Sequence, residues 1–380
     1  MKDALAELLL AKVMGWTAED VRNERPYLQA IAAYKYDEYK RFSPGMRFVE
    51  NLALWLQQFK TTDEKRAAYE FVKSRLLFIS TREVEHLVAS AYQDLIRHVI
   101  LGEAAKAIRR PAHMIAAVAR SSEFKMLRRQ SLFLGLSDGA HTDIFRRASA
   151  SELQHEQIFQ NYEVPPDRAD KLRDALHCNL RPILGREPAD EECHFKMVFL
   201  LDDLSGSGLS YLRKGDDGKG FDGKVAAFYK AMTNVESPLA RVVKACSAQV
   251  YLTFYISTEQ ARSHLLELLP QMWNPEYPQP RVLTVLRLNK GVCVTQETDA
   301  EMIRLCETSE YYDAGKLEDR STKVGGAHVR YGFADCRLPL VMSHNTPNNS
   351  IALLWAYEEA SFRGLFPRVP RHREVYETSA

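Results

Sequence analysis

Lys196-Met-Val-Phe-Leu-Leu-Asp202-Asp203-Leu-Ser205-Gly206-Ser207-Gly208-Leu209-Ser210 joins an apolar run, two acids and a loop of small residues. The run Lys196–Leu201 is too short for an ordinary helix and almost wholly apolar, which reads as a strand buried on both faces. Four further runs have the same character: Ser131–Leu136, Gln249–Ile256, Arg281–Leu286 and Pro339–Met342. They alternate with stretches of helical periodicity. At least five such strands, with helices between them, predict an α/β fold built on a parallel sheet covered on both sides. In such a sheet the ligand site lies beyond the carboxyl ends of the strands, so the residues after each run are the ones to inspect.

The loop after the quoted run has the composition of an anion cradle. Glycines let the backbone bend tightly, and serine hydroxyls add donors. A helix expected directly behind the loop would add partial positive charge. Asp202 and Asp203 would repel a phosphate if aimed at it. They suit the hydroxyls of an attached sugar, or a divalent cation reached through water. A Walker A loop is absent, since no Gly-Lys-Ser/Thr follows, and Tyr211 interrupts a dinucleotide fingerprint. A nucleotidyltransferase pairing of Gly206-Ser207 with Asp216-Asp217 lacks its third acid. Lys214–Lys224 holds four glycines among charges, the composition of a mobile flap or a solvated loop.

Residues 1–118 read differently, as helix after helix. Thr17-Ala-Glu-Asp20, Thr61-Thr-Asp-Glu64 and Ser80-Thr-Arg-Glu83 have the pattern of helix starts. Ser43-Pro44 opens a segment whose Phe48, Leu52, Leu54, Trp55 and Phe59 cover a broad apolar face. The character changes near Pro111, which predicts a helical domain over residues 1–118 for partner or oligomer contacts and an α/β domain over residues 119–380. Arg128-Arg129 and Arg146-Arg147 bracket the first α/β strand as a small anion-binding patch or as solvated charge.

Composition sets outer bounds. The 380 residues are 46% hydrophobic and 27% charged, which excludes a disordered chain. Lys plus Arg (51) and Asp plus Glu (50) nearly cancel, which counts against a dedicated nucleic-acid binder acting alone. Six well-separated cysteines include no CxxC pair, as expected of reduced thiols in a cytoplasmic protein. No run approaches the length of a membrane span, so the expectation is a soluble protein with no membrane contact.

Val198–Ser210 resembles the phosphoribosyl-pyrophosphate (PRPP) loop of type I phosphoribosyltransferases. There an apolar strand runs into two acids, two variable residues and a Thr-Thr-Gly-x-Thr type loop. The resemblance implies that Asp202 and Asp203 hold ribose hydroxyls and that Ser205, Gly206, Ser207, Gly208, Leu209 and Ser210 hold a phosphate. Ser137, Asp138, Gly139, Ala140 and His141, after the strand Leu132–Leu136, resemble the family's pyrophosphate loop.

Farther on, Tyr331-Gly-Phe-Ala-Asp-Cys-Arg-Leu-Pro339 leads into Leu-Val-Met-Ser-His344-Asn345-Thr-Pro347-Asn348-Asn349-Ser350. With Trp355 and Gly364-Leu-Phe366-Pro-Arg368, this resembles the phosphoribosyltransferase-like (PRTase-CE-like) effectors of bacterial conflict and antiphage systems. That resemblance implies PRPP or a related nucleotide as ligand, Mg²⁺ carried with the substrate, and an operon-encoded protein partner or a homo-oligomer. Nucleic acid would enter only through a partner. Read as chemistry, His344, Asn345, Asn348 and Asn349 offer donors and acceptors for a base edge or a ribose. The alternative is a turn whose asparagine caps a helix over residues 351–359.

One departure matters. Gly206 stands where some members of the wider family carry an acid that assists proton transfer, so His344, His141 and Asp138 become the candidate proton carriers. The sequence leaves three readings: an enzyme that cleaves or transfers a ribosyl group, a non-catalytic nucleotide or PRPP sensor, and a nucleic-acid-associated subunit of a complex.

Overall fold

The computed structural model describes residues 3–40, 42, 47–215, 218–319 and 322–368. Ser43, Pro44, Asp216 and Asp217, and the last residues of the expected α/β domain, lie outside the described residues. Nine strands occur among those described: β1 (Leu77–Ile79), β2 (Ser131–Gly135), β3 (Ile158–Phe159), β4 (Met197–Ser205), β5 (Arg213–Lys214), β6 (Phe221–Asp222), β7 (Gln249–Thr258), β8 (Arg281–Leu288) and β9 (Leu340–Met342). The fold is α/β with parallel sheets, as the alternation of runs predicts.

The chain divides into two compact units. One is residues 84–288 and the other combines residues 1–83 with 289–380. These divisions do not fall near Pro111, where the composition changes.

The unit 84–288 is organised by a five-stranded sheet in the order β3-β2-β4-β7-β8, every pair parallel. Period-two alternation sends side chains of β2, β4 and β7 to opposite faces. On one face Leu132, Leu134, Val198, Leu200, Val250 and Leu252 pack with Leu172, Phe228 and Leu265 from the covering helices. On the other, Phe133, Phe199 and Tyr251 are register neighbours and form an aromatic row. Tyr92 and Phe145 close that row edge-on and tilted. Burial on both faces is why these strands read as continuous apolar runs. Tyr92 belongs to a π-helical segment, Ala91–Ile96, which continues into helix Arg97–Ala107.

The second unit contains helices Asp3–Met14, Ala18–Tyr34, Phe48–Gln57 and Thr62–Ser74. Capping boxes at Thr17/Asp20 and Thr61/Glu64 start two of them where the sequence patterns stand. This region is not wholly helical, since β1 pairs in parallel with β9. The expected fifth strand, Pro339–Met342, therefore extends β1 and not the main sheet. Its chain segment closes the N-terminal helices: Phe48, Leu52, Trp55 and Phe59 share a core with Ile351, Leu353, Phe362 and Phe366. Trp55 Nε1 donates to the Leu353 carbonyl (2.9 Å), and the Tyr39 hydroxyl to that of Pro367 (2.8 Å). An apolar face that needs residues three hundred positions away to cover it is not a self-sufficient helical domain.

All six cysteines are free. Among the described residues no helix is long and apolar enough to cross a membrane.

Phe199 is fully buried, with Phe133 stacked at 5.1 Å on one side and Tyr251 at 4.8 Å on the other. Phe199→Ala is expected to lower unfolding free energy by about 3–5 kcal/mol, read as a fall in urea midpoint. Leu266→Ala, at a 47% exposed position, should stay within about 0.5 kcal/mol of the parent.

Candidate functional site

The strand order contains a switch point. From β2 the chain moves outward to β3, whereas from β4 it moves the other way to β7 and β8. The segments leaving the carboxyl ends of β2 and β4 therefore diverge and leave a crevice between them, the position at which such sheets bind ligands. Ser137–His141 and Asp202–Ser210 are those two segments.

After β2, Leu136 still donates to the Leu201 carbonyl (2.9 Å). A tight turn over Asp138–Ala140 follows, and His141 adopts a left-handed conformation (φ 44°) before helix Thr142–Ala148. The buried Tyr255 hydroxyl holds this turn by donating to the Ala140 carbonyl (2.7 Å). Asp138 is exposed, and Ser137, Gly139 and His141 are half-buried.

β4 runs farther than the apolar pattern indicates. Leu204 and Ser205 still pair with Ile256 and Ser257 of β7, so both acids lie inside the strand's carboxyl end. The helix expected directly behind the small-residue loop is not there. Residues 206–211 form a turn, the chain then makes the β5–β6 hairpin, and a helix begins only at Lys224. The loop is nonetheless tightly held. Gly208 is left-handed (φ +83°), and a Cβ there would lie 2.8 Å from His264 Cδ2. The Thr258 hydroxyl donates to the Gly206 carbonyl, and Ser207 Oγ accepts from the Leu209 amide (3.3 Å). The buried Ser205 hydroxyl has no hydrogen-bond partner among the described residues. Ser210 is exposed and Leu209 half-buried.

The two acids are not equivalent. Asp202 is fully buried and both its oxygens are engaged. One accepts from the Ser137 hydroxyl and the Asp203 amide (3.1 Å). The other accepts from the Tyr211 hydroxyl (2.9 Å) and pairs with Lys224 Nζ (2.8 Å). Burial, reinforced by the neighbouring Asp203 charge, pushes the Asp202 carboxyl above its ordinary range, against the pull of Lys224 and Ser137. Burial likewise raises Tyr211 well above a normal phenol. Asp203 is half-buried, and its Oδ1 accepts from the Leu204 amide (2.7 Å). Its carboxyl lies where a Cβ on Gly139 would come within 2.6 Å. Glycine is required there for the two loops to approach. Asp202 is thus a tie among Ser137, Tyr211 and Lys224, and Asp203 is the acid with surface at the crevice.

The run His344–Asn349 belongs to the other compact unit, beyond β9. His344, Asn345, Asn348 and Asn349 are half-buried. Much of the loop's polar capacity folds the loop itself. The Asn345 amide donates to Met342 (3.0 Å), the Asn348 carbonyl accepts from Phe333 (2.6 Å), and Asn349 Nδ2 donates to the Phe333 carbonyl (3.3 Å) and Cys336 Sγ (3.2 Å). The helix that follows is short, Ala352–Trp355, and Ile351 rather than an asparagine precedes it.

Lys224 and Tyr211 escaped the sequence reading. No spacing rule links position 202 to 224. The hairpin links them, and Gly223 (φ +110°) makes the turn into the helix beside the Tyr211 carbonyl. Among the described residues no group of three His, Cys, Asp or Glu side chains is placed to hold a metal ion.

A parallel α/β sheet with two loops facing a switch-point crevice is the general plan of a ligand-binding α/β fold, and the family comparison makes it phosphoribosyltransferase-like. The PRTase-CE family model matches residues 52–368, and the chain belongs to that family. No curated protein and no solved structure matches it.

Lys224→Met leaves Asp202 buried beside Asp203 with no cation. Because Lys224 keeps about a third of its side-chain surface in water, the expected loss at neutral pH is about 2–3 kcal/mol, near the low end for breaking a buried pair. A carboxyl whose folded pKa is raised contributes stability below its ordinary pKa and loses it as pH rises through the raised value. The Lys224→Met deficit should therefore shrink as pH falls from neutral toward the ordinary carboxylate range. Urea midpoints across that window check this, with Asp202→Asn/Lys224→Met as the variant in which the pH dependence disappears.

Proposed function

We propose that the crevice between β2 and β4 binds PRPP or a related nucleotide with Mg²⁺ and cleaves or transfers its ribosyl group. The observation that carries this reading is the direct approach of the two loops at the switch point, Ser137 bonded to Asp202 and Gly139 beside Asp203.

In this reading Asp203 anchors the ribose hydroxyls, because the oxygens of Asp202 are already occupied. The segment Ser205–Ser210 receives the phosphate through backbone N–H groups and the Ser205 hydroxyl, and Ser137–His141 receives the pyrophosphate. The available donors suit Mg²⁺ held mainly by substrate oxygens and waters, with Asp203 as the carboxylate that reaches it. When bound, the cation supplies neutralisation of the pyrophosphate charge. The bond broken joins the ribose anomeric carbon to a pyrophosphate oxygen. Asp203 places negative field beside the cation-like carbon, which stabilises charge only where it develops. Asp138, exposed on the turn after β2, is the proton acceptor within reach of solvent. The ribosyl acceptor is a base, a macromolecule or water. Hydrolysis would deplete PRPP, which suits an antiphage effector working in the cytoplasm with an operon-encoded partner or as a homo-oligomer. The proposal gives His344, Asn345, Asn348 and Asn349 no part.

A sensor without turnover is the second reading. It is favoured by Gly206, which supplies no acid, and by the closure of Asp202 on Lys224 and Tyr211.

Phosphorus NMR of the full chain with PRPP and Mg²⁺ separates the two. Turnover predicts a growing pyrophosphate signal, slowed by about 100-fold or more in Asp203→Asn and in Gly139→Ala. Broadened PRPP lines without new signals, lost in the same variants, would identify the sensor. Unchanged PRPP spectra would overturn both.

A further inference from the structure

The turn after β2 is held from behind by a side chain of β7. Tyr255 is buried, and its hydroxyl donates to the Ala140 carbonyl at 2.7 Å. β4 stands between β7 and β2 in the sheet, so the phenol reaches across the central strand. The register pairs Asp202 with Phe254 and Leu204 with Ile256, which sets Tyr255 beside Asp203 on one face. Among the described residues the Tyr255 hydroxyl bonds the turn after β2 and no group of Ser205–Ser210.

What this bond holds is an uncommon backbone. His141 is left-handed (φ 44°, ψ 42°) although it carries a side chain. In a residue other than glycine, such a conformation persists only where its surroundings impose it. The Ala140 carbonyl belongs to the peptide that enters His141. That peptide is trans and planar. Anchoring its carbonyl on a buried phenol therefore turns its N–H, that of His141, away from the phenol. The hydroxyl is a steady donor: burial, with the charges of Asp202, Asp203 and Asp143, raises Tyr255 well above a normal phenol, so it keeps its proton through the neutral range. Nearer β2 the turn is fixed by the acids, through Ser137 bonded to Asp202 and Gly139 beside Asp203. The Tyr255 bond acts at its far end, next to the left-handed residue.

We infer that Tyr255 is a positioning residue for the pyrophosphate half of the site, holding the Ala140–His141 peptide in the orientation in which Ser137–His141 receives that group. This rests on the PRPP reading above. Without the hydroxyl, the Ala140 carbonyl loses its buried donor. His141 then returns to an ordinary conformation, which rotates the peptides on both sides of it. The small-residue loop is tied elsewhere, by Thr258 to the Gly206 carbonyl and by Tyr211 to Asp202. The half of the site that receives the ribose phosphate therefore keeps its shape.

The test splits the ligand in two. Inorganic pyrophosphate and ribose 5-phosphate are titrated separately into the full chain by calorimetry with Mg²⁺ present, for the parent and for Tyr255→Phe. Tyr255→Phe is expected to weaken pyrophosphate by about tenfold or more, the worth of one buried hydrogen bond, and to leave ribose 5-phosphate within about twofold of the parent. His141→Gly supplies a second check, since glycine takes the left-handed conformation without a side-chain penalty. In that background the same change should weaken pyrophosphate by about threefold or less. With a parent that binds both ligands, three results would overturn the inference and leave the PRPP reading standing. They are pyrophosphate affinity unchanged in Tyr255→Phe, both affinities falling together as a general loss of structure would give, or a loss in the His141→Gly background as large as in the parent. A parent that binds neither ligand overturns the PRPP reading and this inference with it.

Discussion

A buried carboxylate joins the parts of the crevice. Asp202 lies inside the carboxyl end of β4, the central strand, and accepts from Ser137 after β2, from Tyr211 at the end of the small-residue loop and from Lys224 at the start of the next helix. These groups come from separate segments of the chain, and Asp202 and Tyr211, the two that are buried, would be costly to bury without partners. Their mutual satisfaction fixes the two loops to one point. The positions of Gly139 and Asp203 follow from that, as does the return of the β5–β6 hairpin to the sheet.

The sheet beneath provides the rigid base this arrangement needs. Parallel pairing on both sides of β4 sets the register, and the row Phe133–Phe199–Tyr251 gives one face a packed aromatic layer. Side chains at the end of such a strand have little freedom to move, so small shifts in the loops are resisted by the core. Function in folds of this kind is set by what the loops carry. Here they carry one closed acid and one accessible acid.

Much of this was legible in the sequence. The apolar runs gave four of the five main strands, because burial on both faces leaves a continuous pattern. The two-residue β3 was too short to show. The paired acids and small-residue loop marked one wall of the crevice at the carboxyl ends, and the Ser137–His141 stretch the other. Other features were not legible. The run at Pro339–Met342 looks like a core strand, yet its partner is β1, since hydrophobicity says that a strand is buried but not beside which neighbour. The N-terminal helices read as a domain because their periodicity is local. Their covering residues, such as Leu353 and Phe366, lie at the far end of the chain.

The sequence by itself determined the α/β class, the strands with their two-sided burial, the helix starts at Thr17 and Thr61, and the pairing of acids with a glycine-serine loop. These are local properties, set by side-chain period and capping chemistry over a few residues. Only the tertiary structure decided that Asp202 is a tie and Asp203 the accessible acid, that Lys224 and Tyr211 complete the site, and that Tyr255 reaches across β4 to the turn after β2. Adjacent aspartates look identical in sequence. The alternation of a strand sends one into the protein and leaves the other at the crevice, and burial and partners then give the two carboxyls different chemistry.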